Sequence, residues 1–241
     1  MSKDQIFSSQ NSLPGSFEFN DAVAEVFPDM LARSIPGYGQ SIAAIGALAS
    51  RYVQPGTRCY DLGCSLGAAT LAMREHITVD GCEIIAIDLS PAMVERCRAL
   101  TESDGSRIKT TISENDIRHA NIENASMVVM NYTLQFIPVD DRLEMIKRIY
   151  DGMTPGGVFV LSEKVAYEDS EVERLLVDLH HDFKRSNAYS ELEISRKRAA
   201  IENVLIPETT NAHIERLTSA GFEHCGVWLR QFNFISMLAI K

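Results

Sequence analysis

The run Tyr60-Asp61-Leu62-Gly63-Cys64-Ser65-Leu66-Gly67-Ala68-Ala69-Thr70 has the residue types and spacing of a ligand-holding loop. It reads as a buried strand that breaks into a turn of small residues and opens a helix. A helix N-terminus presents unpaired N–H groups, and a ligand reaches them only where side chains are small. About one strand-helix unit later, Glu83-Ile84-Ile85-Ala86-Ile87-Asp88 is an apolar strand ending in a carboxylate, where a bound ribose would present its two hydroxyls. Two such strand ends imply an adenosyl ligand.

The pattern Asp61-x-Gly63-x-Ser65-x-Gly67 differs from the dinucleotide fingerprint, which lacks the leading acid and sets its third glycine one residue further on. An acid before the turn and a second acid at the next strand end is the arrangement of S-adenosylmethionine enzymes with a Rossmann-like methyltransferase fold. Ser65 stands at the middle position, where glycine is most common. Its hydroxyl could either close the turn or hydrogen-bond the ligand.

These residues need a frame. Residues 20–53 alternate amphipathic patches around a break at Ser34-Ile35-Pro36-Gly37-Tyr38-Gly39, which predicts two helices joined by a glycine-rich turn, able to cap a cofactor cleft. Ser90-Pro91 reads as an N-cap followed by proline at the first helical position, with Met93, Val94, Cys97 and Leu100 at helical spacing. A third strand is expected over 107–113, running into the polar turn Glu114-Asn115-Asp116-Ile117. Residues 126–131 form a nearly continuous apolar run, as a fully buried parallel strand requires. A helix over 139–150, a turn over 153–157, a fifth strand over 158–162, a helix ending at Gly221 and two last strands over 222–229 and 232–240 complete the reading. The alternation predicts an α/β doubly wound, seven-stranded, mostly parallel sheet. Ligands bind outside the carboxyl ends of such strands, so Gly63, Asp88, Asp116 and Asn131 should converge there. An acid after the third strand suits an adenine amino group, with Ile117 flanking the ring.

The chain has 241 residues, 45% of them apolar, which suits one large domain with embellishments. A net charge of −10 repels nucleic-acid phosphates, so direct action on a nucleic acid is disfavoured. The five cysteines are odd in number and form no Cys-x-x-Cys pair, which fits a reducing cytoplasm. Cys64 has no motif nearby to supply a base and reads as a packing residue. Residues 1–18 are polar, and no run approaches membrane-spanning length, so neither export nor anchoring is expected. No metal-ligand cluster and no triad signature emerges, and Asn131-Tyr132-Thr133-Leu134 replaces the Asn-Pro-Pro-Tyr type motif of enzymes that methylate exocyclic base amines.

Residues 168–206 contain no glycine or proline and have helical periodicity, which predicts a helical lid inserted after the fifth strand. Val172, Leu175, Leu176, Leu179 and Phe183 form one apolar stripe, and Ile194, Ile201 and Leu205 form another. Arg198 falls in the second, four residues after Ile194 and three before Ile201, on the face expected to pack inward. A buried charge is costly without a partner, so Arg198 should pair with an internal carboxylate, snorkel to water at the rim, or meet an anionic ligand. Arg196 and Lys197 fall on other faces and read as solvated. His180 and His181 read as surface or packing residues, since nothing near them in the sequence would orient a base.

Taken together, these segments make the chain resemble, over nearly its whole length, the carboxy-S-adenosyl-L-methionine synthase family. The carriers are Pro36-Gly37-Tyr38, Tyr60-Asp61-Leu62-Gly63-Cys64-Ser65, Asn131-Tyr132-Thr133-Leu134-Gln135-Phe136, and Tyr189-Ser190-Glu191-Leu192-Glu193-Ile194-Ser195 with Lys197-Arg198. The resemblance implies a class I methyltransferase fold spanning 1–241, with residues 1–56 as a helical cap and 168–206 as the lid. It implies that Tyr38, Gly63, Cys64, Ser65, Asp88, Leu89, Asp116, Ile117 and Asn131 line the S-adenosyl-L-methionine site, and that Arg198 grips the carboxylate added in the reaction. It also implies prephenate as second substrate, carboxy-S-adenosyl-L-methionine and phenylpyruvate as products, and a homodimer. The product would be handed to a tRNA carboxymethyltransferase for wobble-uridine modification. The chemistry is self-consistent: a sulfonium acidifies its methyl, and prephenate becomes aromatic on losing carbon dioxide and hydroxide, supplying electrophile and base. Two other readings stand beside it, an ordinary small-molecule methyltransferase and a non-enzymatic carrier of the carboxylated cofactor.

Overall fold

The computed structural model describes residues 3–7, 17–201 and 204–241. Five parallel strands, β1 (Arg58–Leu62), β2 (Glu83–Asp88), β3 (Lys109–Glu114), β4 (Ala125–Asn131) and β5 (Met153–Ala166), are extended by an antiparallel pair, β7 (His224–Gln231) and β8 (Phe234–Ile240), in the order β3-β2-β1-β4-β5-β8-β7. The expected seven strands are present, and a two-residue strand, β6 (Glu208–Thr209), pairs with the far end of β5. The order reverses between β1 and β4, which opens a crevice at their carboxyl ends.

β4 shows why the sheet is covered on both faces. Val128 and Met130 pack with Tyr60, Leu62, Phe159 and Leu161 under α5 (Val139–Gly152) and α8 (Thr210–Ala220). Their neighbours Met127 and Val129 pack with Cys59, Ile84, Val158 and Val160 under α2 (Tyr38–Tyr52) and α3 (Ala68–His76). Successive strand residues point to opposite faces, so a strand buried on both sides must be apolar throughout. The predicted turn over 153–157 is a bulge within β5: Ala125 pairs with Met153, Met127 with Val158, and the strand then runs on to Ala166.

On the crevice side, α1 (Asp21–Ser34) and α2 precede β1, and α4 (Pro91–Ser103) follows β2 with Ser90 Oγ accepting the Met93 N–H at 3.3 Å. The insertion after β5 folds as α6 (Ser170–Ser186) and α7 (Glu191–Ile201). Arg33 of α1 holds the loop between them. Its guanidinium donates to the Asn187 and Ala188 carbonyls at 2.7 and 2.8 Å and lies 3.9 Å over the Tyr189 ring.

The stripe on α6 is exposed at Val172 and Leu175 and half-buried at Leu176, Leu179 and Phe183, while Glu173, Val177, His180, His181 and Lys184 face the crevice. Two expectations for α7 need correction, that Arg198 packs inward and that Lys197 is solvated. On α7, Ile194, Lys197 and Ala200 are buried against the N-terminal helices, and Arg198 is exposed. The helix is rolled by one residue relative to the apolar pattern, and Lys197 finds polar partners inside: Ser34 Oγ at 2.9 Å and Asp4 Oδ2 at 3.8 Å.

Candidate active site

One cavity of about 1250 Å³ opens at the carboxyl ends of β1, β2, β4 and β5, beneath α1, α6 and α7. All ten residues singled out in the sequence lie on its wall: Tyr38, Gly63, Cys64, Ser65, Asp88, Leu89, Asp116, Ile117, Asn131 and Arg198.

The loop after β1 is held by backbone chemistry. The N–H groups of Gly63 and Cys64 both donate to the Ile87 carbonyl, at 2.8 and 3.0 Å. Gly63 has φ +81°, and a Cβ there would lie 2.3 Å from Thr133 Cγ2, so both conformation and space exclude a side chain. Gly67 has φ +83°, with Cys97 Sγ 2.6 Å from where its Cβ would stand. Ser65 also has a left-handed φ of 49°, which explains why glycine is the commoner residue at this position. Its backbone N–H donates to Asp88 Oδ2 at 2.8 Å, while its hydroxyl has no partner among the described residues. The turn is therefore closed by the main chain, and the hydroxyl is left for a ligand. Cys64 is buried, and a hydrogen bond with Cys97 followed by burial lifts its thiol well above the ordinary range, so it stays protonated and is no nucleophile.

Asp88 accepts the Ser65 and Ser90 N–H groups, one on each oxygen, at 2.8 and 2.9 Å. Burial raises its carboxyl, against the pull of the Ser90, Ser65 and Leu89 N–H groups. The carboxylate keeps acceptor capacity beyond these N–H groups, so it can also accept from a ribose hydroxyl. Leu89, beside it, is 68% exposed at the rim. Asp116 is occupied: its Oδ1 caps the short 3₁₀ turn Ile117–His119 by accepting the Arg118 N–H, and its Oδ2 lies 2.6 Å from Arg118 Nη2, which holds the carboxyl below its ordinary range. An adenine amino group would share this carboxylate with Arg118. Ile117 is buried against the core.

At the centre of the cavity, Asn131 ends β4 with its Oδ1 buried and unpartnered among the described residues. Such an acceptor fits a ligand that brings an N–H or an ammonium. Asp61 lies on the same wall, 1% exposed, and accepts Thr70 Oγ1 at 2.6 Å. Burial pushes its pKa up to about 6, with the Thr70 hydrogen bonds opposing and Asp88 adding. The sequence pattern marked Asp61 as the leading acid without giving it a role. The Tyr38 ring lies 6.4 Å from Tyr132, which meets Phe234 edge-on at 6.0 Å. Burial, and then the charge of Asp61, raise the Tyr38 hydroxyl. A cavity wall with Asp61, Asp88, the Asn131 acceptor and two tyrosine rings can receive a cationic ligand.

Lys164 of β5, Lys184 of α6 and Lys197 and Arg198 of α7 also line the cavity, close enough for their charges to act on one another. Neither Lys164 nor Lys184 was singled out in the sequence. The signal for Lys164 was a charged pair, Glu163-Lys164, at the carboxyl end of an apolar run. Contrary to the expectation that nothing orients it, His180 is buried with Nε2 2.8 Å from the Ser34 carbonyl and its ring 4.8 Å from Phe234. Burial, and then Lys184, push its pKa far down, so it is neutral with Nε2 as donor. Among the described residues no group of His, Cys, Asp and Glu is placed to hold a metal ion, and no helix is long and apolar enough to cross a membrane.

Comparison with known proteins agrees with this geometry. A family model described as a methyltransferase domain matches residues 60–157, from the first strand into the bulge of β5. Among solved structures, human N-acetylserotonin methyltransferase in complex with S-adenosylmethionine superposes with a TM-score of 0.58 at 18% identity, covering 91% of this chain and 55% of that one. Magnesium protoporphyrin IX methyltransferase from Synechocystis, with bound S-adenosylmethionine, gives 0.58 at 15% identity, covering 85% and 80%. At these identities the likeness shows the fold alone. Sequence relatives reach further: the carboxy-S-adenosyl-L-methionine synthase of Aliivibrio salmonicida is 56% identical over 99% of this chain and 98% of its own length. That of Trichlorobacter lovleyi is 57% identical over 93% of each. The chain belongs to the carboxy-S-adenosyl-L-methionine synthase family, S-adenosyl-L-methionine-dependent transferases on the class I methyltransferase fold.

Proposed function

We propose that this protein converts S-adenosyl-L-methionine and prephenate to carboxy-S-adenosyl-L-methionine and phenylpyruvate. The observation that carries the reading is that a single cavity is lined by carboxylates, an unpartnered amide oxygen and aromatic rings together with a cluster of lysines and Arg198. S-adenosyl-L-methionine supplies a sulfonium with an acidified methyl, and prephenate supplies carbon dioxide as it becomes aromatic. A C–C bond forms at the methyl carbon, and the proton released there joins the departing hydroxide as water. Asp88 receives the ribose hydroxyls, Asn131 Oδ1 accepts from the ligand's ammonium, and Ser65 offers its hydroxyl. Tyr38, Gly63, Cys64, Leu89, Asp116 and Ile117 complete the adenosyl wall. Arg198 holds the new carboxylate in a two-pronged fork, from its own chain's cavity wall. The protein's work is positioning and charge stabilisation, since prephenate brings its own electrophile and base.

The chain acts as one domain, with residues 1–56 capping the site and 168–206 serving as its lid. The exposed apolar residues Val172 and Leu175 on α6 and Leu192 on α7 support a homodimer. Five free thiols suit a reducing cytoplasm, and the product serves tRNA wobble-uridine modification through a carboxymethyltransferase.

The test is mass spectrometry of small molecules formed when the purified protein is incubated with S-adenosyl-L-methionine and prephenate. Repeated turnovers giving a species heavier than S-adenosyl-L-methionine by one carbon dioxide, together with phenylpyruvate, support the proposal. Methyl transfer to an acceptor without any need for prephenate would point to an ordinary methyltransferase. Tight binding of the carboxylated compound without turnover would point to a carrier.

A further inference from the structure

The cluster of cations in the cavity carries more positive charge than the product's single carboxylate requires. Lys164, Lys184, Lys197 and Arg198 meet there in a chain whose net charge is −10, and Glu173 is the acidic residue beside them on that wall. Lys197 is committed to Ser34 and Asp4. Lys184 is not: it is 8% exposed, and its ammonium makes no hydrogen bond or ion pair among the described residues. The charges that act on it are cations, Lys197, Lys164 and Arg198, and with burial as the largest cause they bring its pKa down to about 7. Lys164 likewise makes no side-chain hydrogen bond or ion pair among the described residues; Glu173 attracts it, Arg198 repels it, and burial lowers its pKa most. The neutral imidazole of His180 and the half-buried His181 bring no compensating negative charge.

An ammonium on a half-buried or buried stem, facing a cavity among other cations, favours an anion as its partner there. The cavity, at about 1250 Å³, is larger than the ~300–1,000 Å³ of an ordinary single-ligand pocket, which leaves room for a second molecule beyond an adenosyl ligand. With Arg198 assigned to the new carboxylate, two ammonium groups remain, on different elements and facing one space. We propose that Lys164 and Lys184 bind the two carboxylates of a dianionic second substrate, one ammonium to each, and so set its orientation toward the adenosyl ligand. The inference rests on the proposed function for the identity of that substrate. It adds the residues that select a dicarboxylate over a monoanion, a choice that a single arginine could not make.

The experiment uses the full chain and its variants Lys164→Met, Lys184→Met, Lys164→Arg and Lys184→Arg. For each Met variant, KM for prephenate should rise roughly tenfold to a hundredfold, the loss expected for one charge-assisted contact. Calorimetric affinity for S-adenosyl-L-methionine should change less than twofold, and each Arg variant should recover part of the loss. If the parent turns over prephenate and both Met variants keep its KM, the inference is overturned while the proposed function stands. If the parent shows no turnover, the proposed function fails, and titration of prephenate into the S-adenosyl-L-methionine-loaded protein decides the inference alone. Binding by the parent that both Met variants lose supports it; equal binding, or none, overturns it.

Discussion

Replacing Glu163 with glutamine should make the protein's stability less sensitive to pH, by an amount that follows from where this carboxyl sits. Glu163 lies on β5 behind the cavity wall, 1% exposed, with Oε1 accepting the Leu134 N–H at 3.0 Å and Oε2 buried without a partner among the described residues. Burial pushes its pKa up to about 8 from an ordinary 4.5, although Arg142, the Leu134 and Gln135 N–H groups and Arg216 all favour the charged form. Between pH 4.5 and 8 the unfolded chain has released this proton and the folded chain still holds it. The unfolded state binds fewer protons, so folding stability falls as pH rises, by at most about 1.4 kcal/mol per pH unit. For a shift of this size the penalty is roughly 1 kcal/mol at pH 5 and roughly 3 kcal/mol at pH 7, levelling off above pH 8. Glutamine keeps the acceptor for Leu134 and places an amide where the protonated acid has its hydroxyl, so the neutral forms match and the titration is removed. Urea unfolding of both proteins from pH 5 to 8 measures the difference. Glu163→Gln should gain on the parent by roughly 2 kcal/mol between pH 5 and 7, and contributions from every other titrating group cancel in the comparison. Parallel stability curves would show that Glu163 is ionised in the folded protein and would refute the reasoning.

Four further outcomes are expected. Gly63→Ala should destabilise by about 2–5 kcal/mol, summing the left-handed conformation and the collision with Thr133, and Thr133→Ala in the same chain should recover part of the loss in thermal melts. Asp88→Asn leaves one acceptor for two backbone N–H groups, so urea unfolding should show a loss of about 1–3 kcal/mol, with weaker S-adenosyl-L-methionine binding by calorimetry. Arg198→Lys should weaken carboxy-S-adenosyl-L-methionine roughly tenfold and S-adenosyl-L-methionine hardly at all, because lysine cannot form a planar fork; equal losses would exclude Arg198 as the carboxylate's partner. Arg33→Ala removes the clamp on the α6–α7 loop, and amide hydrogen exchange across residues 187–201 should accelerate with little change in β4.

The part of the cavity at the strand ends was legible because its signals are local. A small-residue turn after an apolar strand, and acids at strand ends, act through backbone N–H groups and short side chains whose direction the chain's own geometry dictates. Gly63, Asp88, Asp116 and Asn131 could therefore be placed at one sheet edge before any contact was known. Even there the structure changed the details: Asp116 is shared with Arg118, and the Ser65 turn is closed by the main chain rather than by its hydroxyl. The bulge in β5 read as a turn preceding a strand because four residues lie opposite Ser126 while pairing resumes on either side, a fact about two strands that no single strand records.

By itself the sequence determined the order of strands and helices, the convergence of the cofactor-side residues and the presence of a helical insertion, since each follows from periodicity and local turn chemistry. It could not determine how that insertion sits. Periodicity relates a helix's residues to one another, whereas what α6 and α7 meet depends on α1, more than a hundred residues earlier in the chain. Only the tertiary structure decided that Lys197 rather than Arg198 goes inside, held by Ser34 and Asp4, and that Val172 and Leu175 of the α6 stripe stay exposed. It also brought Lys164 and Lys184 from separate elements to one cavity wall. The cost of burying a charge is set by whatever surrounds it in space. For these lysines, that surrounding exists only in the folded chain.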